Sequence, residues 1–265
     1  MQPVLFLSHG GGPMPLLGDP GHAGLVEAFG QIREKLRTLT QPPKALLFVS
    51  AHWETSEPAI TAAAAPELYF DYYGFPEESY QLTYPVPGAP ELAQELRRVL
   101  DSAGFRATLN GERGLDHGVF VPALLLFPEA DIPCLQLSLL ESLDPKQHLA
   151  LGQGLQGLRK QGVMIVGSGF SFHNMRAFFE KDGPEGERLN KAFESWLADT
   201  LAEPSAEARE QRLQSWEQAP GARYCHPREE HLMPVHVCAA AAGTAVSQSW
   251  HFTALGREGS CYWWD

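Results

Sequence analysis

Short apolar runs separated by helix-spaced segments narrow the fold of this chain more than any other feature. Residues 4–7, 45–49, 132–139 and 163–166 are each brief, largely apolar and followed by small or polar residues. Runs that are apolar at consecutive positions suit strands covered on both faces, as central parallel strands are. Residues 246–252 read as a later strand. The segments between them have helical spacing. Leu92, Leu96, Val99 and Ala103 form one stripe over residues 91–103, and Pro90 precedes it, where a missing N–H costs nothing. Leu151, Leu155 and Leu158 do the same over residues 147–161, and Leu189, Phe193, Trp196 and Thr200 further on. Pro234 opens an apolar helix running through Ala242, with Gly243 as its stop. Strands alternating with helices predict one α/β domain over residues 1–265, its mostly parallel central sheet flanked by helices on both faces.

Composition removes several function classes. The chain has 20 Lys and Arg against 32 Asp and Glu, a formal charge of −12. A nucleic-acid backbone needs a cationic face, so it is not an expected partner. No apolar run approaches the ~18 residues of a membrane span. The first residues read as a buried strand rather than as a signal peptide, because they carry no basic region and soon reach Ser8-His9-Gly10. Cys134, Cys225, Cys238 and Cys261 are scattered, which suggests neither a zinc ribbon nor a disulfide framework. The expected compartment is therefore the cytoplasm. Residues 183–188 and 202–218 are polar, the second reading as an exposed helix with Leu213 and Trp216 on a thin apolar side. Residues 65–88 are rich in Tyr, Phe, Pro and Gly and read as a long ordered loop, the kind that often carries function.

The histidines fall where α/β proteins build sites. His9 ends the first strand and leads into Gly10-Gly11-Gly12-Pro13, and His52 ends the second. His117 lies in Gly114-Leu115-Asp116-His117-Gly118, and His173 follows the fourth strand. His226 and His231 stand just ahead of the Pro234 helix. Parallel strands end along one edge, so these side chains can converge. Imidazole ligates Zn, Fe, Cu and Ni, and three such groups make an open metal site. Any one of them alone reads first as a hydrogen-bonded loop histidine, and it is their joint pattern that points to a site. His226 precedes Pro227 and reads as a turn residue, and His22, His148, His236 and His251 read as packing or surface positions. The triple glycine suits a tight turn, a phosphate cradle or an oxyanion hole. Gly167-Ser168-Gly169 falls short of the nucleophile motif of serine hydrolases, so Ser168 is a weak nucleophile candidate. Trp263 and Trp264 read as a packed cap, with a pocket lining as the lesser alternative.

Taken together, these motifs resemble one family. The stretches are Leu5-Phe6-Leu7-Ser8-His9-Gly10, Val49-Ser50-Ala51-His52-Trp53, Asp71-Tyr72-Tyr73-Gly74-Phe75-Pro76, Tyr84-Pro85-Val86-Pro87-Gly88 and Leu115-Asp116-His117-Gly118. They continue through Gly167-Ser168-Gly169, His173-Asn174, His226-Pro227 and Glu230-His231-Leu232-Met233-Pro234. In order and spacing they resemble the class III extradiol ring-cleavage dioxygenases of the LigB type, within the DOPA 4,5-dioxygenase branch. That resemblance implies a LigB-like α/β domain that opens a catechol ring with O₂ at a non-haem Fe(II) centre, with Zn(II) as a metal also found there. It implies His9, His52 and His231 as metal ligands and His117 and His173 as the catalytic histidines. His173 would be the main acid/base, and His117 would help hold the substrate oxygen or dioxygen. Many class III relatives use a Glu as third ligand. Here Glu229 and Glu230 adjoin His231, and the branch favours His231, with Glu230 and His173 as further ligand candidates. Gly11-Gly12-Pro13 also departs from the Ser-Pro common in bacterial relatives.

The expected partners are thus a small-molecule catechol and O₂, with no nucleic acid and no membrane. Arg176 and Arg228 are candidates for a substrate carboxylate by their nearness to the motifs, and the Tyr72–Phe75 loop for stacking on the ring. Two alternatives stand beside this reading. One is a zinc-dependent hydrolase using the same histidines with Glu230 as base. The other is a non-catalytic LigB-like binding protein.

Overall fold

The four apolar runs form the centre of the sheet. In the computed structural model, which describes residues 1–180 and 183–265, they are β1 (Val4–Ser8), β2 (Ala45–Thr55), β5 (Cys134–Leu140) and β6 (Val163–Gly169). The remaining strands are β3 (Ala59–Thr61), β4 (Thr108–Asn110), β7 (Gln248–Ala254) and β8 (Arg257–Trp264). The eight strands form one sheet in the order β4-β3-β5-β2-β6-β1-β8-β7. The central set β5-β2-β6-β1 is parallel, while β3 pairs antiparallel with β5 and β8 antiparallel with β1. The expected mostly parallel sheet is therefore present.

Alternate residues of each central strand face opposite layers. Val4, Phe6, Leu47, Val49, Val163 and Ile165 join one core, and Leu5, Leu7, Leu46, Phe48, Met164 and Val166 join the other. With both faces covered, β1, the first part of β2 and most of β6 read as continuous apolar stretches, whereas β5 sets buried Gln136 and Ser138 between Leu135, Leu137 and Leu139. Each fully buried Leu, Val or Phe stabilises the fold by about 1.5–3 kcal/mol.

Helices cover both faces. They are α1 (Ala23–Leu36), α2 (Pro90–Ser102), α3 (His117–Leu126), α4 (Pro145–Leu155), α5 (Met175–Phe179), α6 (Gly183–Ala202), α7 (Ala206–Gln214), α8 (Ala222–Cys225) and α9 (Met233–Ala242). The first layer holds buried residues of α2, α4, α6 and α9, and the second those of α1 and α3. The Pro90 start and the Gly243 stop both hold, Gly243 having φ +71°. The helix expected over 147–161 tightens into a 3-10 turn over Gln156–Gln161. The 202–218 segment forms α7 and a 3-10 turn, with Leu213 and Trp216 fully buried beneath it. Trp263 and Trp264 are strand residues of β8 packed in the two cores, in line with a packing role. No helix among the described residues is long and apolar enough to cross a membrane.

One buried carboxyl makes stability pH-dependent. Glu194 on α6 is 4% exposed and accepts from Ser260 Oγ on β8 at 2.6 Å. Burial pushes its pKa up to about 7, against 4.5 for an ordinary Glu. Between those values the folded chain holds a proton that the unfolded chain has released. Stability therefore falls as pH rises through that window, by at most roughly 3–4 kcal/mol at about 1.4 kcal/mol per unit. Glu194→Gln is expected to gain denaturation midpoint relative to the parent above pH ~7 and to match it near pH ~4.5. Parallel pH profiles for the two proteins would contradict this assignment.

Candidate active site

The strand ends do bring the histidines together. His9 follows β1, and its backbone N–H donates to Gly169 O at 2.9 Å. His52 lies where the register of β2 against β5 shifts between Val49 and Glu54, an irregularity of the kind that re-aims side chains. His117 is the first residue of α3, His173 lies between β6 and α5, and His231 just precedes α9. All five line one cavity of about 420 Å³.

Their rings form one cluster. Centroids of His9, His52 and His231 stand 4.9–5.3 Å apart, His52 and His117 are 3.9 Å apart, and His173 stacks on His231 at 3.4 Å. Two tighter groups are resolved within it, His9–His52–His117 and His173–Glu230–His231, each with its donor atoms within 4.8 Å of one another. The expected ligand set His9, His52 and His231 draws on both groups, and His117 is as close to His52 as any ring.

Hydrogen bonds behind the rings fix which nitrogen faces the cavity. Ser168 Oγ donates to Gly118 O and so accepts from His9 Nδ1 at 2.9 Å. His117 Nδ1 donates to Asp71 Oδ1 at 2.8 Å, and the His117 backbone N–H to the same oxygen at 3.1 Å. Glu230 Oε1 lies 2.9 Å from His231 Nδ1 and 3.1 Å from His173 Nδ1. Anchoring at Nδ1 leaves Nε2 as the free donor, the arrangement common to metal-ligating histidines. His9 Nε2 and His52 Nε2 are 3.0 Å apart. Two nitrogens ~2.1 Å from one ion at ~90–110° would be separated by about 3.0–3.4 Å.

Burial keeps the imidazoles of His9, His52 and His231 neutral, the form that ligates. Burial, then the neighbouring histidines, pushes His9 and His231 well below the ordinary value. Burial and His117 do the same to His52, against a smaller upward pull from Asp71. For Asp71, burial acts upward, but the His117 bonds and the charge of His117 and His52 hold the carboxyl below its usual range. For Glu230, burial again acts upward, and His173 and Arg228 outweigh it. Both carboxylates are thus held in the ionised form, behind a cluster in which burial keeps His9, His52 and His231 neutral. A group of imidazoles with open Nε2 atoms and carboxylates behind them fits a divalent transition metal.

Glycines in β6 set His231 in place. A Cβ on Gly169 would stand 2.1 Å from His231 O, and one on Gly167 would stand 2.4 Å from Cys238 Sγ and 2.7 Å from Pro234 O. The turn into α9 therefore lies directly on the strand, and Phe170 N–H donates to His231 O at 3.1 Å. Gly169→Ala is expected to cost about 1–3 kcal/mol and to lower metal occupancy by shifting His231. Thermal denaturation with metal analysis checks it; an unchanged midpoint and metal content would contradict the close approach.

The other sequence candidates take different places. Ser168 is fully buried and engaged on both sides by His9 and Gly118, which removes it as a nucleophile. The triple glycine is a tight turn, with Gly10 at φ +88° against Pro15 and His22. Tyr72 and Phe75 line the cavity, whereas Tyr73 is 91% exposed. Arg228 is bound to Glu54 and lies 3.5 Å from Glu230, and Arg176 pairs with Glu180 on the surface, so neither lines the cavity. His226 is buried and bonds Ser171 O at 2.7 Å, bracing the chain near His173. His148 and His236 are likewise buried and bonded to backbone, and His251 is exposed on β7.

Two positions were given no site role in the sequence. Asp71 anchors His117, although the two are 46 positions apart. The clue was its place at the head of the Asp71-Tyr72-Tyr73-Gly74-Phe75-Pro76 motif. His22 read as packing, yet it borders the cavity, its Nδ1 2.6 Å from Asp19 and its Nε2 accepting from Gly11 N–H.

Comparison with known proteins agrees in fold and function class. Residues 3–259 match the family described as the catalytic LigB subunit of aromatic ring-opening dioxygenase. The chain is 42% identical to "Dioxygenase tasH" of Hapsidospora irregularis, over all of this chain and 86% of that protein. It is 37% identical to the "4,5-DOPA dioxygenase extradiol" of Beta vulgaris, over 92% of this chain and 88% of that one. An uncharacterized protein of Escherichia coli K12 with a crystal structure superposes with a TM-score of 0.78 at 27% identity, covering the whole of both chains.

Proposed function

Because the chain belongs to the LigB family of aromatic ring-opening dioxygenases, we propose that it cleaves a catechol ring in the extradiol manner, with O₂ as co-substrate, at a non-haem metal held by His9, His52 and His231. The observation that carries this reading is the convergence of five histidines, each taken from a different strand end or turn, on one cavity. Fe(II) held by these residues would supply the one-electron chemistry that lets a catechol react with O₂, and Zn(II) would suit the same donors.

The chain's own residues handle binding and protons. The catechol ring packs against Tyr72 and Phe75, which touch each other edge to face and line the cavity beside His117. A base must take a hydroxyl proton from the catechol, and an acid must return one as the ring opens. We assign the main acid/base task to His173 and the holding of substrate oxygen to His117. Each ring has a carboxylate behind it, Glu230 for His173 and Asp71 for His117. A carboxylate there orients the ring and stabilises the imidazolium as it forms. The hydrolase alternative has less support. Glu230 turns Oε1 to the Nδ1 atoms of two histidines and Oε2 toward Arg228, not to an open Nε2 where a bound water would sit.

The test is oxygen uptake by protein stripped of metal and reloaded with Fe(II) without air. Catechol-dependent uptake with a coloured ring-fission product is the expected result. No uptake from any catechol, with iron confirmed in the protein, would overturn the reading.

A further inference from the structure

Catechol substrates differ in the group that the ring carries, and the cavity walls bear on that choice. The histidine cluster forms the floor, with His9, His117 and His231 each 6% exposed or less. The rim lies at the other end. Met175 and Phe179 of α5 line the cavity, yet are 55% and 80% exposed, so they stand where it opens to solvent. Met14, Phe178 and Leu255, all half-buried, extend that apolar collar along the cavity wall. A ring seated on the floor sends its substituent into this collar. None of the described residues lining the cavity is Lys or Arg, and the wall carries the carboxylate of Asp19. A carboxylate tail would meet apolar carbon and a like charge, in a chain whose net charge is already −12.

Resting on the dioxygenase reading, we propose that this site selects catechols with a neutral apolar substituent over those with an anionic or zwitterionic tail. Met175, Phe178, Phe179, Met14 and Leu255 hold the substituent, and Asp19 disfavours the anion. Each methylene removed from water is worth about fourfold in affinity, so a short alkyl chain is enough to separate the classes.

The experiment uses matched probes: 4-butylcatechol, its acid counterpart 3-(3,4-dihydroxyphenyl)propionate, and DOPA. Turnover is measured with Fe(II)-loaded protein, and binding is measured by calorimetry with Zn(II)-loaded protein, where no reaction runs. The expected result is at least about a tenfold preference for 4-butylcatechol over the acid, in both kcat/KM and affinity. In Met175→Ser/Phe179→Ser, two exposed positions that leave the core untouched, that preference falls severalfold. Equal or tighter binding of the acid or of DOPA, or a preference that the double variant leaves unmoved, overturns the inference. Absence of turnover for every catechol, with the binding preference intact, overturns the dioxygenase reading and supports the apolar collar.

Discussion

His52→Ala is expected to emerge from purification without bound metal and without turnover. His52 Nε2 lies 3.0 Å from His9 Nε2, the spacing of adjacent ligands on one ion. Partners one step removed from a metal typically cost about 10–100-fold in affinity when lost, and a ligand costs at least that. The variant is informative because the fold should not notice it. His52 is half-buried on an irregular part of β2, so alanine there opens little void, whereas His9 is enclosed and bonded to Ser168. Metal analysis, denaturation and oxygen uptake on one preparation separate the effects. A variant that keeps both metal and activity would remove His52 from the ligand set.

The second large effect falls on the proposed catalytic pair. His173→Ala and His117→Ala are each expected to retain metal while turnover falls about 10²–10⁴-fold, the usual worth of a positioned acid or base. The geometry supports separating these roles from ligation. His173 stacks on His231 and shares Glu230 with it, so its removal leaves His231 still anchored at Nδ1. His117 is held by Asp71 alone at Nδ1, and neither Ser168 nor Glu230 depends on it. Loss of metal in His117→Ala would instead make it a ligand, as its place in the tighter group with His9 and His52 allows. Near-full turnover in His173→Ala would end its acid/base role.

The central strands were legible because burial on both faces leaves an uninterrupted apolar signature, as at Leu46–Val49 and Val163–Val166. α9 was legible from a proline start and a glycine stop. β3 and β4 were not, because three residues each give no periodicity to read. α3 was missed for a different reason. Apart from its first two residues, His117 and Gly118, it is apolar all round and carries Pro122 inside, so no polar face marks it as a helix. α1 is a plainer omission, since Leu25, Phe29 and Ile32 have helical spacing and are buried.

The site was legible residue by residue but not contact by contact. Histidines at strand ends could be read because a parallel sheet gathers its ends. Their supports could not, because Asp71 and Ser168 reach His117 and His9 across 46 and 159 positions. The lining of the cavity was also hidden. Arg176 and Arg228 lie near the motifs in sequence, yet their side chains are held by Glu180 and Glu54.

The most direct test of ring cleavage follows the oxygen atoms. Fe(II)-loaded protein would be mixed with one catechol under ¹⁸O₂, the product trapped at once by reduction, and its mass determined. Insertion of both atoms of one dioxygen molecule into an opened ring is the result predicted here. A product carrying one labelled atom, or an intact ring oxidised to a quinone without label, would contradict the assignment.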